Sequence, residues 1–375
     1  MFPCLNEEAT LGACIKQAQE TMQKHGISGE IIVADNGSTD GSRDVAAKLG
    51  ARVVSVELKG YGSALMGGIA AARGKYIIMG DADGTYDFSH IPLFLEKLRS
   101  GHELVVGNRF QGGIRPGAMR PLHRYLGNPL LTGIGRLFFS SPCRDFHCGL
   151  RGFTKAAFER MHLRTTGMEF ASEMVVKASV FGMSVCEIPT TLSPAGRERP
   201  SHLRTWRDGW RHLRFLLLYS PRWLFLYPGA VLMVLGFALG LWLLPGPRRV
   251  GNVTLDIHTL LYAAAAVITG FQAVAFAFFT KIFAITEGLL PEDPRLTRAF
   301  RFFRLETGLL AGALLIAAGI ILAGYSLLAW NRVGLGPLDP VHLVRVVAAA
   351  MVCIILGVEI VLSSFFLSIL GLARK

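Results

Sequence analysis

Sulfur chemistry is the first thing this chain of 375 residues has too little of to use. Its six cysteines, at positions 4, 14, 143, 148, 186 and 353, show no paired metal spacing, and a reducing compartment with incidental thiols is expected. No apolar run follows a basic start, so no signal peptide is read. A basic low-complexity arm and nucleic-acid motifs are also missing, which sets nucleic acid aside as a partner. Acid is scarce relative to base: 27 Asp+Glu stand against 39 Lys+Arg, a net charge of +12. Residues 1–222 hold 28 of those bases and 20 of the acids, an excess suited to anionic lipid or a phosphorylated substrate. What the chain has in surplus is apolar: 51% of residues and a mean hydropathy of +0.41, too much for a purely soluble domain. The surplus follows Pro221, which predicts a soluble amino-terminal half and a membrane half.

The soluble half alternates short apolar runs with helical stretches. Met1-Phe-Pro-Cys-Leu-Asn-Glu-Glu8 reads as the end of a first strand whose earlier residues are missing, followed by a helix at about 8–25. Glu30–Ala34, Arg52–Val56, Lys75–Met79 and Glu103–Gly107 read as further strands, with helices at 41–49 and 63–73. Such alternation predicts a largely parallel sheet whose sites lie at the carboxyl ends of its strands.

Asp35, Asp81 and Asp83 each fall just past a strand, on that one edge. Asp81 and Asp83 are spaced i, i+2, which past a strand can throw both carboxylates to one side to share a hard cation. Alone, either acidic turn reads better as local capping; three acidic strand ends on one rim argue for a site. A zinc site at Cys143, His147 and Cys148 is rejected because the ligand count is short.

Pro3-x-Leu-Asn-Glu7, Asp35-Asn-Gly-Ser-Thr-Asp40, Gly80-Asp-Ala-Asp83 and Val106-Gly-Asn-Arg109 follow one another as in family 2 glycosyltransferases, which the chain resembles over about residues 1–220. The resemblance is to the polyprenyl-phosphate branch, the dolichol-phosphate mannose and glucose synthases and their bacterial relatives. It implies an α/β domain of the GT-A, Rossmann-like, nucleotide-sugar-binding fold. It also implies inverting transfer of a sugar from a UDP- or GDP-sugar to a polyprenyl phosphate, undecaprenyl or dolichyl, in cell-envelope glycan synthesis.

By that resemblance Pro3, Leu5 and Glu7 line the nucleoside, Asp35 contacts base or ribose, and Asp81 and Asp83 hold Mg²⁺ or Mn²⁺ against the diphosphate. Asp83, Arg109 and Arg124 form the catalytic set, the two arginines holding the acceptor phosphate. A glutamine that helps the metal in many relatives is Thr85 here, and a second aspartate of the first turn is Asn36. Asp145-Phe-His-Cys-Gly-Leu-Arg151 resembles the segment that floors the sugar pocket, with Cys148 in place of serine; its structural alternative is a turn with an Asp145–Arg151 pair. Glu169 is a sugar-contact candidate, and Arg197, Ser201 and His202 occupy a family loop that ends in lysine elsewhere.

Beyond residue 200 the pattern changes. Leu203, Trp206, Trp210, Leu213 and Leu217 form one helical stripe with Arg204, Arg207, Arg211 and Arg214 beside it, a helix suited to the lipid interface. Uncharged or nearly uncharged runs at about 223–244, 259–280, 308–330 and 346–372 are each long enough to span a bilayer. The chain is therefore expected to divide into a catalytic domain (1–200), an interfacial helix (201–222) and four spans (223–375), with a second interfacial helix at about 293–306. Arg295, Arg298, Arg301 and Arg304 lie in the 281–307 connection, against Arg248 and Arg249 in one opposite loop and Arg332 in the other. The positive-inside rule then puts the catalytic domain and both termini on the cytoplasmic side of the plasma membrane. Glu359, inside the last span, reads either as functional or as merely protonated or helix-paired. Oligomerisation is left open.

Two rivals share these features. A processive polysaccharide synthase would carry Gln-x-x-Arg-Trp, of which Tyr219-Ser-Pro-Arg222-Trp223 lacks the glutamine. A non-catalytic membrane scaffold would have no need of both Asp81 and Asp83.

Overall fold

A computed structural model of the chain describes residues 1–196, 204–293, 305–332, 334–336 and 340–372. Arg197, Ser201 and His202, and most of the interfacial helix expected at 293–306, lie outside the described residues. The chain divides into two compact units, Met1–Tyr219 and Ser220–Lys375.

The first unit begins β1 (Phe2–Cys4), α1 (Glu8–Lys24), β2 (Ile32–Asp35), α2 (Ser42–Lys48), β3 (Arg52–Ser55), α3 (Tyr61–Ala71) and β4 (Tyr76–Met79). It continues through α4 (Ile91–Arg99), β5 (Leu104–Asn108), the single turn α5 (Arg109–Gly112), α6 (Asn128–Phe139), β6 (Arg151–Thr154) and α7 (Lys155–Met161). Helix α8 (Phe170–Val180), β7 (Val185–Pro189) and α9 (Thr205–Leu218) complete it. β1, β2 and β3 pair in parallel, β2 lying in the middle and buried at all four residues. Such a strand, covered on both faces, needs the continuous apolar run Ile32-Val33-Ala34. The Met1 amine donates to the Ile78 carbonyl and the Gly80 amide to that of Met1, at 2.8 and 3.2 Å. These bonds join the first sheet to a second in the order β4-β6-β5-β7.

The sheet is largely parallel, as the alternation leads one to expect, with one exception. β6 runs antiparallel to both neighbours, between β4 and β5. Its sequence, Arg151-Gly-Phe-Thr154, has a charge and a glycine where a strand pattern wants apolar residues, and no strand is expected there from the sequence. Gly152 is there because α4 packs on it: a Cβ would sit 3.2 Å from both Phe94 and Leu98. α4 buries Ile91, Phe94, Leu95 and Leu98, an i, i+3, i+4, i+7 face, against that sheet.

Four helices of the second unit, Arg222–Leu243, Ile257–Thr286, Leu305–Arg332 and Leu343–Leu370, are long and apolar enough to cross a membrane. Their outer faces carry Val234, Leu235, Ile321 and Leu362, all more than 60% exposed. Apolar surface of that extent belongs in hydrocarbon. Small residues bring the last two spans together: a Cβ on Gly312 would stand 2.7 Å from the Gly357 carbonyl, and one on Gly357 2.8 Å from that of Gly312. Glu359 does have a helix partner, for the Gln272 amide donates to its Oε1 at 2.5 Å.

Candidate active site

The carboxyl ends of β1, β2 and β4 open on a cavity of about 710 Å³ within the first unit. Strand ends supply Pro3, Leu5, Glu7, Asn36, Asp81 and Asp83 to its wall. The turn before α3 adds Lys59, the first residue of α3 adds Tyr61, and the turn before α8 adds Gly167 and Met168. The remaining side comes from the stretch at α9: Arg204, Arg207, Asp208 and Arg211.

Asp81 and Asp83 thus face one space. Tyr61 Oη donates to Asp81 Oδ1 at 2.9 Å. Gly149 makes room for the other oxygen, since a Cβ there would stand 2.5 Å from Asp81 Oδ2. Thr85 donates to Asp83 Oδ1 twice, from its amide at 3.1 Å and its hydroxyl at 2.6 Å. The residue standing where relatives have a glutamine therefore steadies the second aspartate. Thr10 Oγ1 donates to the carbonyl of Ala82, between the two aspartates, at 2.7 Å, and so ties their loop to α1. Among the described residues no cluster of three or more His, Cys, Asp or Glu could hold a metal. Two oriented carboxylates nonetheless suit Mg²⁺ or Mn²⁺, which complete their shells with substrate phosphate and water.

Four of the expected site residues, Asp35, Arg109, Asp145 and Arg151, do not line the cavity and are bonded within the fold. Asp35 is 1% exposed and does not line the cavity. Its carboxylate accepts from the amides of Gly37 and Ser38 and pairs with Arg43 at 2.5 Å. Burial works against its charge, but the Ser38 and Arg43 donors prevail and hold its pKa below the usual carboxylate value. Its neighbour Asn36 reaches the wall instead. The Asn36 amide donates to the carbonyls of Val56 and Leu58, which an aspartate could not do, and its Oδ1 accepts from Gly60. Gly60 itself is at φ +134°, where a Cβ would meet the Thr166 carbonyl at 2.2 Å.

Arg109 and Asp145 pair with each other, buried, through two parallel bonds of 2.8 and 2.7 Å. Burial opposes the guanidinium charge, yet Asp145 raises the Arg109 pKa well above its ordinary value. Neither reaches the cavity, because a desolvated guanidinium needs its carboxylate and this one has it. The alternative Asp145–Arg151 pair is not formed either. Arg151 is fully buried and donates to the carbonyls of Phe146, Cys148 and Ala171. Arg124 lies half-buried, 5.5 Å from the Tyr125 ring centroid, and does not line the cavity. Glu169 comes nearest: its Oε2 is buried without a hydrogen-bond partner, and a Cβ on the cavity residue Gly167 would lie 2.4 Å from it.

The cations that do face the cavity were assigned elsewhere by the sequence reading. Arg204, Arg207 and Arg211 recur at i, i+3, i+7 and were placed beside a lipid-facing stripe. Helical periodicity shows that they share a face but not what that face meets. Asp208, 3% exposed, accepts from the Arg204 amide at 2.7 Å and sits 3.9 Å from the guanidinium nitrogens of Arg207 and Arg211. Lys59 and Tyr61 were also missed, though Gly60-Tyr-Gly62 ahead of a small-residue helix was a signal for a loop that admits a ligand.

Two family models match the chain: glycosyl transferase family 2 over residues 1–161, and the glycosyltransferase family 2 C-terminal transmembrane region over residues 278–371. The low-salt glycan biosynthesis hexosyltransferase Agl6 of Haloferax volcanii is 38% identical over 373 residues, covering 99% of this chain and 88% of that protein. A dolichyl-phosphate hexose transferase of the same organism is 25% identical over 185 residues, covering 49% of this chain and 77% of that one. Among solved structures, glucosyl-3-phosphoglycerate synthase from Mycobacterium tuberculosis in complex with Mn²⁺, UDP and glucosyl-3-phosphoglycerate matches at 22% identity and a TM-score of 0.45. That match covers 58% of this chain and 76% of that one.

Proposed function

The chain belongs to glycosyltransferase family 2 and is an integral membrane protein, and from that premise we propose that it moves a sugar from a nucleoside diphosphate to a polyprenyl phosphate, with inversion. One observation carries the reading. The helix that lines the cavity with arginines, α9, ends at Leu218, and the first span begins at Arg222. An acceptor whose phosphate enters the cavity while its chain stays in hydrocarbon suits that arrangement, and a soluble acceptor does not call for it. The resemblance to a dolichyl-phosphate hexose transferase supports the same acceptor class.

In this reading Pro3, Leu5 and Glu7 line the nucleoside, while Asp81 and Asp83 hold a divalent cation, Mg²⁺ or Mn²⁺, against the diphosphate. Such an ion neutralises negative charge as it develops on the leaving group. Arg204, Arg207 and Arg211 replace Arg109 and Arg124 as the phosphate-holding cations, because they are the arginines that line the cavity. A phosphate oxygen of the lipid forms a bond to the anomeric carbon on the face opposite the nucleotide. The carbon–oxygen bond to the diphosphate breaks, and its electron pair leaves with the nucleotide. The lipid phosphate is already ionised at neutral pH, so the protein's task is positioning rather than proton removal. Glu169 is retained as a sugar contact, its buried oxygen suited to accept from a hydroxyl. The catalytic unit lies on the cytoplasmic side, following the arginine bias of the loops.

The test is direct. Full-length protein reconstituted with polyprenyl phosphate, Mg²⁺ or Mn²⁺, and a panel of UDP- and GDP-sugars should yield a glycolipid. Asp83→Asn should abolish it while leaving the folded protein intact. Absence of glycolipid from every donor overturns the proposal.

A further inference from the structure

Residues 109–144 contain six arginines and no acid or lysine. Between Arg124 and Arg136 there is no charge at all, in the run Tyr-Leu-Gly-Asn-Pro-Leu-Leu-Thr-Gly-Ile-Gly. That run forms α6 and the turn leading into it, and its outer face is apolar. Leu122, Tyr125, Leu126, Leu130 and Leu137 are 42%, 73%, 55%, 55% and 59% exposed. Leu122, Leu126, Leu130 and Leu137 recur at i, i+4, i+8 and i+15, one stripe of a helix. The inner face of α6 is occupied: Thr132 and Gly135 are buried, and a Cβ on Gly135 would clash with the Phe146 ring at 2.4 Å. The exposed stripe is thus a second apolar face with nothing upon it among the described residues of this unit.

α6 packs beside α9, and His123 is 3.0 Å from Thr205 Oγ1 where the two begin. α9 has an apolar exposed side of its own, with Trp206 82% and Trp210 58% exposed. We infer that the α6 stripe is a membrane-docking surface. On this inference the catalytic unit lies in the interface of an anionic bilayer by α6 as well as by α9, with Leu126 and Leu130 below the headgroups.

Three observations select lipid as the occupant. The first is tethering: three residues separate Leu218 from the first span, so the carboxyl end of α9 lies within about 15 Å of where that span begins, and α6 packs beside α9. The second is charge. Arg115, Arg120 and Arg136 flank the stripe with no acid among them, the complement of phospholipid phosphate rather than of an ordinary protein surface. The third is composition, since an uncharged leucine-rich face with a tyrosine near its edge is what an interfacial helix presents. The inference needs only the membrane spans and the first unit, so it stands or falls apart from the sugar-transfer reading.

Site-directed spin labels on the full-length protein decide it. In a background of Cys186→Ser and Cys353→Ser, nitroxides are placed by Leu126→Cys, by Leu130→Cys and, on the exposed side of α1, by Glu20→Cys. The protein is set in nanodiscs of phosphatidylglycerol and phosphatidylcholine. Labels at 126 and 130 are expected to lose accessibility to the water-soluble nickel relaxant and to gain it for oxygen, and the label at 20 to show the reverse. Equal nickel accessibility at all three sites overturns the inference. So does dipolar broadening at 126 that disappears on dilution with unlabelled protein, which would put a second copy of the chain on this face.

Discussion

Tyr61 holds Asp81 by a single hydrogen bond of 2.9 Å, phenol to Oδ1. Burial and the adjacent carboxylate push the phenol's pKa well above its ordinary value, so it stays protonated and remains a donor at any physiological pH. Thr85 does the same for Asp83 from its own loop. The two aspartates of the cavity are thereby oriented before any ligand arrives, each by a partner the motif itself does not reveal.

Tyr61→Phe removes that donor and little else. Loss of an outer hydrogen bond to a metal ligand typically weakens metal binding by about tenfold or more. The variant should need about ten times more Mn²⁺ for half-maximal activity and approach the parent rate at saturating metal. A titration of activity against Mn²⁺, with thermal unfolding as the control, checks it; an unchanged half-point excludes an orienting role for the phenol.

What could be read from the chain alone divides along a physical line. The spans were legible because lipid selects for apolar length, a property of one continuous segment. Asp81 and Asp83 were legible because the strand that presents them adjoins them in sequence. That Asp35 and Arg109 lie off the cavity was not legible for the opposite reason: the partner of each, Arg43 or Asp145, is fixed only by folding. β6 escaped because its glycine answers to α4 and its arginine to the carbonyls of the loop just before it and of Ala171 in α8. Asn36 departs from the family's aspartate for a reason visible only in three dimensions, its donation to two carbonyls of the chain after β3.

Arg109→Ala should cost stability more than substrate affinity. It strands the buried Asp145 carboxylate without its guanidinium, which typically costs about 3–5 kcal/mol. A marked drop in melting temperature is expected, and Asp145→Ala should cost a similar amount. In the double variant the loss should be less than the sum, the signature of a coupled pair. If Arg109→Ala instead left the melting temperature unchanged and raised KM for the lipid acceptor, the arginine would be a substrate contact after all.

Arg207→Ala and Arg211→Ala should behave in the contrary way. Both side chains are partly open to the cavity and neither completes a close ion pair, since Asp208 stands 3.9 Å from each. Charge-assisted bonds to phosphate are worth about 1.5–3 kcal/mol, so KM for a phosphorylated substrate should rise roughly 10- to 100-fold for each variant, with melting unchanged. Steady-state kinetics with donor and acceptor varied separately will show which phosphate each arginine holds. No change in either KM removes α9 from the site.

Asp35 provides a test in pH. Its folded pKa is depressed, because the Ser38 and Gly37 amides and the Arg43 guanidinium favour the charged form more than burial opposes it. A carboxylate of this kind contributes stability above its unfolded pKa of about 3.9, and that contribution is lost as pH falls through the lower folded value. Asp35→Asn should therefore melt below the parent at pH 7, by the worth of hydrogen bonds to a charged group, about 1.5–3 kcal/mol. The gap should begin to narrow as pH drops below about 4, where the carboxylate of the unfolded parent takes up its proton, and close only below the depressed folded value. Arg43 is half exposed, so salt should narrow the gap at pH 7 but not remove it, the amide bonds being inside the turn. Melting curves of the two proteins at several pH values and two ionic strengths check this. A variant that melts with the parent at every pH, and differs only in KM for the nucleotide sugar, would return Asp35 to the nucleoside and leave the turn to be held by its backbone.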